Sequence, residues 1–113
     1  MGRRLIIPFN IDASAGSDEK HEIWEVVYSK IRTKEIEIIP ESGTRGVLYC
    51  SLYYGDMKIA PETGEWTSDG TKLKDYPDAI YFRGDKILLR VRNTDTANPH
   101  FVYGTLEVIV EEE

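Results

Sequence analysis

Ala79-Ile-Tyr-Phe-Arg-Gly-Asp-Lys-Ile-Leu-Leu-Arg-Val-Arg92, a polar loop from Asn93 to His100, and Phe101-Val-Tyr-Gly-Thr-Leu-Glu-Val-Ile-Val110 make up the stretch that decides the fold. In the last run the even positions are Val102, Gly104, Leu106, Val108 and Val110. The odd ones are Tyr103, Thr105, Glu107 and Glu111, with Ile109 as the exception. A period of two belongs to a strand with one face on a core and one toward water. Ile87, Leu89 and Val91 repeat the rhythm against Leu88, Arg90 and Arg92. Turn-forming residues, Asn93-Thr-Asp-Thr-Ala-Asn-Pro99, separate the two runs, which predicts a long hairpin at the centre of the fold.

Upstream, Arg4-Leu-Ile-Ile-Pro-Phe9 reads as a strand whose Pro8 suits an edge. Residues 10–20 read as a polar, small-residue loop, expected to be mobile. His21–Ser29 supports a strand by its β-branched and aromatic content, although Ile23, Val26 and Val27 would also share a helical face. Thr33–Ile39 alternates up to Pro40, and Gly46–Gly55 is apolar on both faces, as in a strand covered on both sides. Met57–Ala60 is a brief strand, Glu65–Thr67 is extended, and Ser68–Asp78 is irregular. Turn signals at intervals of roughly ten residues give an all-β, antiparallel β-sandwich of about seven or eight strands. It is expected to be a single domain, 1–113, closed by an acidic tail at 111–113.

Composition narrows the function. A net charge of −6 and a pI near 4.9 oppose nucleic-acid binding, which needs a basic face. No apolar run approaches the ~20 residues of a membrane helix, and Arg3–Pro8 is too short for a secretory signal. The lone Cys50 lies in an alternating run and reads as a small core residue. One cysteine and two distant histidines, His21 and His100, match no zinc or copper spacing, so no metal or other cofactor is expected. No serine stands in a nucleophile-elbow context and no glycine loop cradles phosphate, so no enzyme activity is expected.

The order of turns and strand ends carries a resemblance. It runs from Ile6-Ile-Pro8, through Ile36-Glu-Ile-Ile-Pro40 with Gly43 and Gly46, to Tyr53-Tyr-Gly-Asp56 and Lys58-Ile-Ala-Pro-Glu-Thr-Gly64. It continues with Gly84-Asp-Lys-Ile87, Leu89-Arg-Val-Arg-Asn-Thr-Asp95 and Pro99-His100. This pattern resembles the small single jelly-roll or β-sandwich proteins of bacteriophage or prophage type. The resemblance implies a virion structural, decoration or attachment subunit working in a homo-oligomer, with other virion proteins as partners and a virion or cytoplasmic location.

Arg83-Gly84-Asp85 has the spelling of an adhesion tripeptide, but a tight turn between two strands explains it. Asp56, Glu62, Glu65, Asp69, Asp75 and Asp78 fall in loops and read as solvated turn acids. They lack the alternating ligands of a calcium loop. His100 reads as a rim residue bonded to its own loop. The aromatics exceed what one face of a small core needs. Trp66, Tyr76, Tyr53, Tyr81 and Tyr103 are therefore the candidate interface or ligand-binding residues. Trp66, in a polar stretch, is the expected exposed ring, either at an interface or as a glycan platform with Tyr76 and the loop acids. A second small core beneath 62–81 is the competing account.

Overall fold

The computed structural model, which describes residues 2–113, has nine strands, with the period-two pattern clearest in the long ones. They are β1 (Arg3–Ala13), β2 (Asp18–Glu25), β3 (Lys30–Pro40), β4 (Leu48–Tyr54), β5 (Met57–Ala60), β6 (Leu73–Asp75), β7 (Ile80–Phe82), β8 (Lys86–Asn93) and β9 (His100–Glu112). One sheet has the order β1-β9-β3-β6, with β7 also on β3, and the other has the order β2-β8-β4-β5. All pairings are antiparallel. β6 pairs with Ile36–Ile38 and β7 with Lys30–Arg32, so these two short strands follow one another along the same edge of β3 and fill one strand position of the sheet. Two facing sets of four strand positions in this order constitute a jelly roll.

Ile87, Leu89 and Val91 of β8 face inward against Val102, Leu106, Val108 and Val110 of β9, and all are buried. Burying each such side chain is worth about 1.5–3 kcal/mol. Both strands are central, as predicted, but they do not form a hairpin: β8 lies between β2 and β4, β9 between β1 and β3. The loop between Asn93 and His100 is long enough to cross the ~10 Å separating packed sheets. Crossing puts the two apolar faces against each other instead of side by side in one layer.

Three other predicted boundaries shift. The loop expected over 10–20 shrinks to residues 14–17, because Asn10–Ala13 complete the β1–β9 ladder and Asp18–Lys20 pair with β8. Leu73–Asp75, inside the stretch read as irregular, forms β6 on the free side of β3. Glu111 and Glu112 continue β9, and their carboxylates pair with Lys30 and Arg32.

β3 shows how phase is corrected. Its register on β9 slips between Thr33 and Glu35, so Lys34 is an extra residue. Inward positions accordingly change from Ile31 and Thr33 to Ile36, Ile38 and Pro40. Gly104 solves a different problem: a Cβ there would collide with the Glu37 carbonyl oxygen and reach 3.0 Å from Phe9 Cζ. Glycine lets β3 and the Phe9 ring close over the middle of β9. No helix among the described residues is long and apolar enough to cross a membrane, which says nothing about a membrane β-barrel.

Candidate binding face at one end of the sandwich

At the end of the sandwich where β1 and β3 finish and β9 begins, the outer face of the five-stranded sheet carries two rows of side chains. Asp12 stands opposite Phe101 and Asn10 opposite Tyr103 across the β1–β9 pair. On the other side Ile39 is opposite Tyr103, and the Glu41 amide donates to the Phe101 carbonyl at 3.0 Å. Strand alternation thus sets Phe101 between two acids, Asp12 and Glu41. The Phe101 and Tyr103 rings stack with centroids 6.2 Å apart and are 40% and 43% exposed. Asp12, Glu41, Pro99, His100 and Phe101 line an open cleft of about 370 Å³ here.

The loop beneath the cleft is held by its own polar groups. Asn93, buried at the end of β8, donates to the carbonyls of Ala13, Ser14 and Asn98, and its Oδ1 accepts from the Asp95 amide. Asp95 in turn accepts from the amides of Ala97 and Asn98 and lies 2.8 Å from His100 Nε2. The Ala97 amide first, then His100, with Asn98 adding less, hold the Asp95 carboxyl down at about 2. His100 Nδ1 is 3.3 Å from Glu41 Oε1, which also accepts from the Phe101 amide. Asp95 first, with Glu41 adding to it, raises the His100 pKa above its ordinary value against the opposing effect of burial. The ring is therefore a loop clasp, as its sequence context suggested. Asp12 has no side-chain partner among the described residues.

The predicted ring residues divide sharply. Trp66 is only 8% exposed, which corrects the expectation of an exposed ring. Its backbone pairs with Cys50 in both directions, at 2.9 and 2.8 Å, and its indole N–H donates to Asp75 Oδ2 at 3.1 Å. That backbone pairing turns the ring onto the core beside β4, so no glycan platform exists at Trp66. Tyr81 is also inside, fully buried: it stacks on Tyr54 at 4.9 Å and donates to the Tyr53 carbonyl. Desolvation, then Tyr54 and Asp85, pushes its phenol well above the usual range. Tyr53 is half-buried, with the Lys20 ammonium 4.6 Å above its ring. Tyr76 is 67% exposed and Tyr103 stands on the cleft face. Phe101, Asp12 and Glu41 were not among the sequence candidates, although Phe101 shares the outward phase of Tyr103.

The remaining motifs are absorbed by the fold. Gly84, at φ 88°, makes the turn joining β7 to β8. Arg83 donates to the Val27 carbonyl and the Glu113 carbonyl, while Asp85 accepts from Tyr54 and the Phe82 amide. Both charged ends of the tripeptide are engaged by their own chain. The loop acids are dispersed: Asp56 pairs with Lys20, Glu65 with Arg92 and Asp78 with Arg32, while Asp69 accepts from the Gly43 amide. No group of three metal-ligating side chains stands together among the described residues. Cys50 is fully buried, and burial followed by the Glu65 charge pushes its thiol up to about 12.

No family model matches the chain, and no curated protein matches it. Among solved structures it is similar to a chain from Bacillus endospore appendages, described as a novel family of disulfide-linked pili. That match covers all of this chain and 92% of the other, with a TM-score of 0.51 and 10% identity. A second similarity, to the infectious bursal disease virus VP2 subviral particle, has a TM-score of 0.49 and 11% identity, and covers 96% of this chain but 33% of that one. At such identities the first likeness establishes the β-sandwich fold alone, and the second carries no argument.

Proposed function

We propose that this protein is a non-enzymatic structural subunit of a phage-like particle, built to associate with copies of itself. The observation that supports the reading is the pair of bare, stacked rings, Phe101 and Tyr103, on the outside of a sandwich whose core is already filled. Exposed aromatics gathered on one face mark contact surfaces more often than chance solvent exposure does. The order of turns and strand ends favours the phage-particle setting, where other virion proteins would be further partners. The similar chain from Bacillus appendages belongs to disulfide-linked pili. Here the single thiol is sealed in the core, so contacts between copies would be noncovalent. Light scattering at micromolar concentration tests the reading. The expected mass is a multiple of 12.9 kDa; a strict monomer overturns it.

A further inference from the structure

Three times on its surface this chain builds the same small device, a cation held between an aromatic ring and a carboxylate. Arg92 lies 4.3 Å from the Tyr49 centroid and 2.7 Å from Glu65. Lys20 lies over Tyr53 and 3.0 Å from Asp56. Arg3 lies 5.1 Å from the Tyr28 centroid and 3.4 Å from Glu113. Such an arrangement gains from the ring quadrupole and from the ion pair together. At the cleft the rings and the acids recur: Phe101 and Tyr103 are flanked by Asp12 and Glu41. No cation of the chain lies over either ring among the described residues. Even with His100 protonated, Asp12, Glu41 and Asp95 leave the cleft negative.

The cations of the chain are otherwise spoken for. Among the described residues, every lysine and arginine except Arg45 has a side-chain ion pair or hydrogen bond. Arg45 is exposed in the 41–47 loop, which begins at Glu41 and so sits at the cleft end of the sandwich. We infer that the Asp12–Phe101–Glu41 cleft receives the guanidinium of Arg45 from a second copy of this chain. Because donor and acceptor share one end of the molecule, a two-fold axis there lets both exchanges form at once, an isologous contact. Arginine suits the role: its flat guanidinium stacks on Phe101 or Tyr103 while its N–H fork meets Asp12 and the free oxygen of Glu41.

The inference rests on the self-association proposed above, and sedimentation velocity over a concentration series separates the two. Arg45→Glu and Asp12→Lys are each expected to raise the dissociation constant about tenfold or more, with unchanged thermal melts because both positions are exposed. The double variant, carrying both reversals, is expected to recover association to within a few-fold of the native chain. Wild-type association that neither single change alters overturns the Arg45 contact and leaves self-assembly standing. A monomeric wild type overturns both. Single changes that weaken association without recovery in the double variant also overturn the pairing of these two residues.

Discussion

Two faces of this sandwich carry aromatic rings and treat them differently. On the four-stranded sheet, Tyr49 and Tyr53 point outward from β4, and each is capped by a cation from its own chain, Arg92 and Lys20. On the five-stranded sheet, Phe101 and Tyr103 point outward from β9 and are capped by nothing from their own chain among the described residues. The strand geometry is the same and the ring chemistry nearly so. The difference lies in the neighbouring strand positions: β8 sets Arg92 directly opposite Tyr49, whereas β1 sets Asp12 opposite Phe101. A capped ring is a finished surface whose apolar face is covered. A bare ring flanked by acids has an unmet interaction on offer.

The most forceful way to break the comparison is to remove the sheet that displays the bare rings. Gly104→Val sets a branched side chain against the Glu37 carbonyl oxygen and the Phe9 ring. β9 is bonded on both sides, to β1 and β3, and has no room to move aside. Overpacking at a central strand is expected to cost about 3 kcal/mol or more. Urea denaturation should show the midpoint falling steeply or the fold lost altogether. A melt within about 1 kcal/mol of the native chain would mean that the close approach at Gly104 is not a packing requirement.

A pair of substitutions sharpens the contrast directly. Tyr49→Ser removes a half-buried ring together with the seat of Arg92, and is expected to lower stability by about 1 kcal/mol while leaving association untouched. Phe101→Ser is expected to act mainly on association, with a smaller loss of stability, because its ring is 40% exposed and lies outside the core cluster. Chemical melts read the first quantity and sedimentation the second. If both variants behave alike in both measurements, the two faces are not functionally distinct.

How far this could be read from the sequence depends on what a two-residue period encodes. The inward faces of β8 and β9 were legible because alternation reports burial directly. Which sheet each strand joins was not, since the same alternation serves a hairpin or a crossover between layers. The phase slip at Lys34 is invisible to a strict period and appears only as register against β9. Trp66 misled because its neighbours Glu65 and Thr67 are polar; its burial follows from backbone pairing with Cys50, 16 residues upstream. Phe101 was legible in principle, being in phase with Tyr103. The acids around it come from β1 and from the residue after β3, and only the register brings them together.

The smallest expected effect concerns the clasp under the bare rings, and its sign follows from two opposite shifts. His100 titrates higher in the fold than its ordinary 6.5, so the fold prefers the protonated ring. That contribution is complete below about 6.5 and fades as pH rises through the elevated folded value. Asp95 is depressed from 3.8 to about 2, so its contribution is complete above about 4 and fades as pH falls toward 2. The two overlap between roughly pH 4 and 6.5, where the 93–100 loop should be held best. Amide exchange at Ala97 and Asn98 across this range is the sensitive measurement, because their N–H groups donate to Asp95. His100→Gln should flatten the neutral limb and keep the acid one, and Asp95→Asn should remove both. Amides of β4 beside Tyr49 and Tyr53, remote from the 93–100 clasp, serve as the internal comparison. A neutral limb of equal size on both faces would trace to global unfolding and not to the clasp.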